Sequence, residues 1–86
     1  MSSKIEYERV YVDVVVLNKA DGSKRPLSII WEDGKSYEVD RLKQVCRAAS
    51  TKVGGTGLRY TIVVNGHETF IFEDDNRWFV EAKIYQ

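Results

Sequence analysis

Apolar residues recur at every second position along most of this chain, which is the pattern of half-buried β-strands. In the first run, residues 10–17, the valines at the even positions fall on one face because successive side chains of a strand point to opposite sides. Val15 and Leu17 make the other face partly apolar. We therefore expect this strand to be covered on both faces.

Polar and glycine-containing segments separate the later runs. Residues 18–25 include an Asp-Gly pair and form a predicted loop, and Pro26 begins the second strand, where its missing N–H costs little. Asp33-Gly34 is typical of a hairpin turn. The apolar face of that hairpin is predicted to contain Leu27, Ile29, Trp31, Tyr37 and Val39.

Residues 40–49 fit two structures. A helix would place Leu42, Val45, Cys46 and Ala49 on one face, with Asp40 as its N-cap. A strand is also consistent, because the segment follows the preceding strand without a break and Val45 and Arg47 alternate. Both alternatives stay open, and an extended, bulged strand is favoured.

The turn around Asn65-Gly66 decides which aromatic residues are buried together. A two-residue turn would place Tyr60 and Phe70 on opposite faces, whereas a three-residue loop from Val64 to Gly66 keeps them on the same face. Because register generally follows the buried face, we predict the three-residue loop, with Gly66 in a left-handed conformation. The predicted core then comprises Trp31, Tyr60, Ile62, Phe70, Phe72, Trp78 and Val80.

These runs predict a mainly β fold. Six strand-like runs in 86 residues, joined mostly by short turns, favour a small, strongly bent antiparallel sheet or an SH3-like barrel of about five to six strands. Such a barrel also removes exposed strand edges. We predict a single domain over residues 1–86, with a loosely ordered N-terminus over residues 1–8.

Composition argues against an enzyme. Cys46 is the sole cysteine and His67 the sole histidine, so neither an internal disulfide nor a cysteine-based zinc site can form within one chain. The acidic turn at residues 73–76 lacks the ligand spacing of a calcium loop and is expected to be a solvated hairpin tip. We expect no catalytic residues, no metal and no cofactor.

No apolar run approaches the ~20 residues that a membrane-spanning helix needs, and residues 1–8 lack a signal-peptide pattern. The expected location is the cytoplasm, with no membrane partner.

The charge distribution supplies the main functional signal. From Arg41 to His67 the chain carries five basic residues and no carboxylate, although the whole sequence has 13 basic and 13 acidic residues. We call this segment the basic stretch. It includes a glycine-rich loop that could present backbone N–H groups to phosphate, but it lacks the Walker and Rossmann patterns. The candidate anion-binding or nucleic-acid-binding residues are Arg41, Lys43, Arg47, Lys52, Gly54, Gly55, Gly57 and Arg59.

Two functions follow from these features. The first is a small cytoplasmic binding module that contacts nucleic acid or another anionic partner through the basic stretch. The second is a protein-interaction or self-assembling β domain, which includes the case of a homodimer. A sequence pI near 6.6 weakens the first, because nucleic-acid-binding domains are usually basic overall.

Four segments together resemble small bacterial domains of unknown function. In this family a tryptophan, a G-x-x-Y-x-V hairpin, an R-Y strand and a closing tryptophan strand follow in order. The matching residues lie at 31–39, 58–62, 70–74 and 77–80, so the resemblance covers about residues 26–81. It implies a small SH3-like or similar β fold, and no catalytic residue or known ligand.

Overall fold

The computed structural model describes residues 5–47 and 57–85, and side-chain environments for residues 8–47 and 57–82. Seven antiparallel strands form one sheet in the order β3-β2-β1-β7-β6-β5-β4. The strands are β1 (Ile5–Asn18), β2 (Lys24–Ile30), β3 (Ser36–Glu38), β4 (Arg41–Arg47), β5 (Leu58–Val64), β6 (His67–Asp74) and β7 (Arg77–Tyr85). The prediction of a mainly β, strongly bent antiparallel sheet is confirmed, with seven strands rather than five to six.

The long strand β1 bends the sheet by changing partners. It pairs with β7 over residues 5–12 and with β2 over residues 13–18. A β-bulge interrupts the β1–β2 register between Val15 and Val16, and bulges increase local twist and bend a strand. Val15 and Leu17, on the outer face of β1, are exposed. The prediction that both faces of this strand are covered is therefore wrong.

The two edge strands, β3 and β4, are consecutive in the chain. The Val39 N–H donates to the Leu27 carbonyl oxygen (2.9 Å), and the Asp40 N–H donates to the Val63 carbonyl oxygen (2.8 Å). These two residues therefore bridge β2 and β5 across the open side of the sheet. The result is a curled half-barrel whose edges the chain itself joins.

The described part of the ambiguous segment contains a strand, and residues 48 and 49 lie outside the described residues. Residues 41–47 pair with β5, and the register shifts between Leu42 and Gln44. This confirms the extended, bulged strand and excludes a helix over these residues. Lys43 is the extra residue at the bulge.

The turn after β5 has two residues, so the predicted three-residue loop is wrong. Val64 pairs directly with His67, and both Asn65 (φ 52°) and Gly66 (φ 77°) are left-handed. Asn-Gly tolerates two successive positive φ angles, and such turns match the twist of the flanking strands. The left-handed Gly66 is confirmed.

This register divides the aromatic residues between two faces. Tyr60 lies opposite Ile71, whereas Phe70 lies opposite Thr61. The buried core on the inner face comprises Ile29, Tyr60, Ile62, Ile71 and Trp78, with Val80 packed against it. The predicted core is therefore right for Tyr60, Ile62, Trp78 and Val80 and wrong for Phe70 and Phe72, which lie on the outer face.

Only part of the predicted apolar face of the β2–β3 hairpin is confirmed. Ile29 is buried and lies opposite Tyr37, but Leu27 is exposed because it occupies the bulge opposite β1. Trp31 is half-buried beyond the end of β2. The single domain and the loosely ordered residues 1–8 stay predictions, and β1 is described from Ile5.

Candidate functional site

The basic stretch does not form one surface. Arg59 lies opposite Cys46, and Arg47 lies opposite Leu58, which packs on the core. Because directly opposed residues share a face and successive residues alternate, Arg47 and Arg59 are on opposite sides of the sheet. The described cations of the stretch therefore cannot all contact one ligand face.

Lys43 already has an anionic partner. Its Nζ lies 2.7 Å from Oε2 of Glu68, and both side chains are about half exposed. An exposed pair of this kind contributes about 0–1 kcal/mol. The contact still places a carboxylate beside the stretch, which lowers its attraction for a polyanion.

The glycine-rich loop is described only at its end. Lys52, Gly54 and Gly55 lie outside the described residues. At Gly57, a Cβ atom would lie 2.5 Å from the Glu73 backbone oxygen and 3.2 Å from the Asp74 Cβ. Gly57 is thus required by the close approach of β6, which is a structural role.

A different surface emerges on the outer side of β1, β7, β6 and β5. The cross-strand register aligns Tyr11, Phe79, Phe72 and Arg59 in one row. Residues two positions away on the same strands extend that row on the same face. We call this surface the Arg–aromatic face, and it consists of Arg9, Tyr11, Arg59, Phe70, Phe72, Arg77 and Phe79.

The rings of this face form a buried centre with exposed flanks. Phe72 and Phe79 stack with centroids 5.2 Å apart and planes within 10°, and Tyr11 lies 5.6 Å from Phe79. Phe79 is 2% exposed and Phe72 7%, whereas Tyr11 and Phe70 are 43% and 44% exposed. The exposed rings therefore offer contact area beside a rigid base.

Each arginine of the face lies over a ring. The guanidinium carbon is 4.0 Å from the ring centroid for Arg77 over Tyr11, 4.6 Å for Arg9 over Phe79 and 4.8 Å for Arg59 over Phe70. Such contacts contribute about 0.5–1 kcal/mol when exposed and more when desolvated.

Arg59 differs from the other two arginines at its Nε, which is buried and has no hydrogen-bond partner among the described residues. Leaving a buried donor unsatisfied costs about 1–3 kcal/mol. The Arg59 guanidinium lies over the Phe70 ring, while its Nε–H donates no hydrogen bond within the described residues.

Carboxylates balance the charge of the Arg–aromatic face. Asp74 lies opposite Arg77 and Glu81 lies opposite Arg9 in the strand register. Cross-strand neighbours of opposite charge attract one another. The face consequently presents mixed charge instead of a continuous positive field.

An open depression of about 490 Å³ adjoins Tyr11 and Arg77 where β1 leaves β7. Its polar lining includes the Asp13 carboxylate and the Asn76 amide. The depression therefore adds hydrogen-bond donors and acceptors to the rim of the Arg–aromatic face.

The acidic turn after β6 is only partly a solvated tip. Asp75 and Asn76 are exposed, but Glu73 is buried. Its Oε2 accepts the Asn76 N–H (2.8 Å) and lies 3.5 Å from the Lys24 Nζ. Burial, and secondarily the charge of Glu73, raises the pKa of Tyr60. These contacts stabilise the turn and leave Glu73 no role as an accessible ligand.

The two candidate reactive side chains are far apart. Cys46 lies opposite Arg59 at one end of β5, whereas His67 lies opposite Val64 at the other. These two positions of β5 are five residue steps apart, which corresponds to about 17 Å along the strand. Within the described residues, no group of three or more His, Cys, Asp and Glu side chains could hold a metal.

The sequence contained a signal for the Arg–aromatic face. Arg9 precedes Tyr11, and Arg77 precedes Phe79, by two positions, so each pair shares a face of a strand. The predicted three-residue loop from Val64 to Gly66 assigned Phe70 and Phe72 to the core, so the sequence analysis did not place them on the same face as these arginines.

No family model, curated protein or solved structure matches this chain. The resemblance to small bacterial β domains therefore stays a prediction. The described residues contain no helix that is long and apolar enough to cross a membrane.

Proposed function

We propose that this chain is a small binding module that docks a protein partner on its Arg–aromatic face. The observation that carries the proposal is the stacked, buried pair Phe72–Phe79, flanked by the exposed rings of Tyr11 and Phe70, each with an arginine side chain over it. A location in the cytoplasm is part of the same proposal.

The composition of the face supports a protein partner. Arginine, tyrosine and phenylalanine are enriched in protein interfaces, and arginine and tyrosine are among the residues whose truncation weakens binding most. Tyr11 and Phe70 can bury large apolar areas at little entropic cost, since each has only two side-chain torsions. The neighbouring carboxylates Asp74 and Glu81 would supply the mixed polar rim that such interfaces usually have.

Charge favours a protein over a polyanion. Non-specific binding to nucleic acid depends on cations that replace condensed counterions along the phosphate backbone. Here Arg9 and Arg77 lie opposite carboxylates, and Lys43 is paired with Glu68. These anions offset the attraction that the cations would otherwise provide.

Single-stranded nucleic acid is the second candidate. The observation in its favour is the stacking of Arg59 and Arg77 on exposed rings, because proteins that bind single strands combine aromatic platforms with arginine. It would use the same face, so one set of variants tests both candidates.

The test uses the full chain as bait in its native cell extract, followed by purification of the captured protein and calorimetric titration. Truncation of Tyr11 or Phe70 to alanine should weaken binding by about tenfold or more. Leu17→Ala is the matched control, since Leu17 is similarly exposed on β1 but lies outside the face. Equal affinity of all three variants and the parent would contradict the proposal.

Fluorescence anisotropy with single-stranded DNA and RNA oligonucleotides, at low and high salt, tests the second candidate. Salt-sensitive binding that Phe70→Ala removes, without a captured protein partner, would replace the first candidate with the second.

A further inference from the structure

A second surface lies on the opposite side of β6, where β6 and β7 separate. Their register covers only Phe72–Phe79, Glu73–Trp78 and Asp74–Arg77. Residues 67–71 of β6 continue to pair with β5 but have no strand partner on the β7 side within the described residues. The backbone there presents an open strand edge.

An apolar groove follows this edge. It has a volume of about 450 Å³ and runs between the inner side of β5–β6 and the inner side of β7. Val64 and Thr69 line it from β5 and β6, and Val80, Glu81 and Ala82 line it from β7. The lining also includes Ile29, Trp31 and Tyr37, and Glu81 is the one charged residue among the described residues that line it.

We propose that an extended segment of a partner protein adds as a strand to the β6 edge and places alternate apolar side chains in this groove. Main-chain hydrogen bonds to the edge would supply affinity, and the groove would select small apolar residues at every second position. This surface goes beyond the proposed function, because it is on the other side of β6 from the Arg–aromatic face.

The length of the open β6 edge favours an extended segment, rather than a second folded copy of the chain, as the partner. An edge of five residues is about 17 Å long. Stable interfaces between folded proteins bury about 1,200–2,000 Å² in total, and a strip of this length and one strand width falls well below that. A single strand can also reach an edge that β7 flanks, while its side chains enter the groove.

The experiment uses the ¹⁵N-labelled full chain and a synthetic peptide with valine at alternate positions, threonine between them and a lysine at each end. The resonances of residues 67–71 should shift on titration, and their amide hydrogen exchange should slow. The control peptide carries proline at the central threonine, which removes a backbone donor. It should bind at least about tenfold more weakly.

Variants at position 69 test the groove directly. Thr69→Arg places a charged side chain in the groove and should weaken peptide binding about tenfold or more, whereas Thr69→Ser should bind like the parent. Thr69 is exposed, so folding should survive both changes, as circular dichroism would verify. Leu17→Ala, at an exposed position of β1 outside both surfaces, should leave peptide binding unchanged.

Three results would overturn the inference. The first is equal binding of the parent and Thr69→Arg, and the second is equal binding of the two peptides. The third is a concentration-dependent shift of residues 67–71 without peptide, which would assign the edge to a second copy of the chain.

Discussion

The two faces of the sheet formed by β5, β6 and β7 both contain an aromatic pair, yet the pairs are covered in different ways. On the inner face Tyr60 and Trp78 lie 4.8 Å apart in the core, against Ile62 and Ile71. On the outer face Phe72 and Phe79 stack on each other, and arginine side chains lie over Phe79 and the neighbouring Phe70. Aliphatic side chains enclose the inner pair, whereas long charged side chains cover the outer aromatic residues.

This difference predicts which substitutions change stability and which change binding. An aliphatic core is close-packed and tolerates little change. An arginine over a ring keeps its charged end at the surface while its stem covers apolar area. We therefore expect substitutions on the inner face to change the free energy of unfolding, and substitutions at the exposed rings of the outer face to change binding.

The largest effect is expected at Trp78. Trp78→Ala removes a buried ring that contacts Tyr60, and should lower the free energy of unfolding by about 3–5 kcal/mol. Urea denaturation measures the change. Tyr11→Ala on the outer face should cost less than about 1 kcal/mol, and a comparable loss for the two variants would break the distinction between the faces.

The turn that assigns the aromatic residues to their faces is the next target. Gly66 has a φ of 77°, and an added Cβ would meet no atom within 4 Å. Gly66→Ala should therefore cost about 1–2 kcal/mol through backbone strain alone. Gly66→Asn should cost less, because asparagine tolerates the left-handed conformation, and equal losses in thermal denaturation would contradict the strain argument.

Tyr60 should make the inner face sensitive to alkaline pH. Its pKa is raised by burial and by the charge of Glu73, so the folded state favours the neutral phenol. This stabilisation is fully present below the unfolded tyrosine pKa of about 10 and is lost as pH rises through the higher folded pKa. Tyr60→Phe should lose less stability than the parent over that alkaline window in pH-dependent denaturation, and parallel curves would refute the assignment.

The smallest effect is expected from the Lys43–Glu68 pair. Both side chains are about half exposed, so Lys43→Ala should cost no more than about 1 kcal/mol. The difference from the parent should shrink at high salt. A larger loss that is independent of salt would mean that the pair supports the bulge in β4.

The sequence was sufficient to predict the strands but not the register between β5 and β6. Alternation correctly placed Val12, Val14 and Val16 on the inner face of β1, and the unbroken run after β3 favoured the extended β4. Asn65-Gly66 is compatible with two turn lengths, and the assumption of one aromatic core selected the wrong one. The structure has two aromatic layers, and the pairing of Val64 with His67 and the positive φ of Asn65 identify the two-residue turn that produces them.

One residue of the candidate site, Arg59, was among the site residues predicted from the sequence, but the surface that it belongs to was not. Arg59 was identified, yet its neighbours in space, Phe70 and Phe72, come from another strand. Arg47 is close to Arg59 across the β4–β5 pair but lies on the opposite face. Proximity in sequence therefore did not predict a shared surface.

Phe70 and Ile71 provide the most direct test, because they are adjacent in sequence and lie on opposite faces. Ile71 is 0% exposed and Phe70 is 44% exposed. In urea denaturation, Ile71→Ala should lower the free energy of unfolding by about 2–5 kcal/mol and Phe70→Ala by less than about 1 kcal/mol. A loss for Phe70→Ala as large as that for Ile71→Ala would place Phe70 in the core and contradict the two-face account.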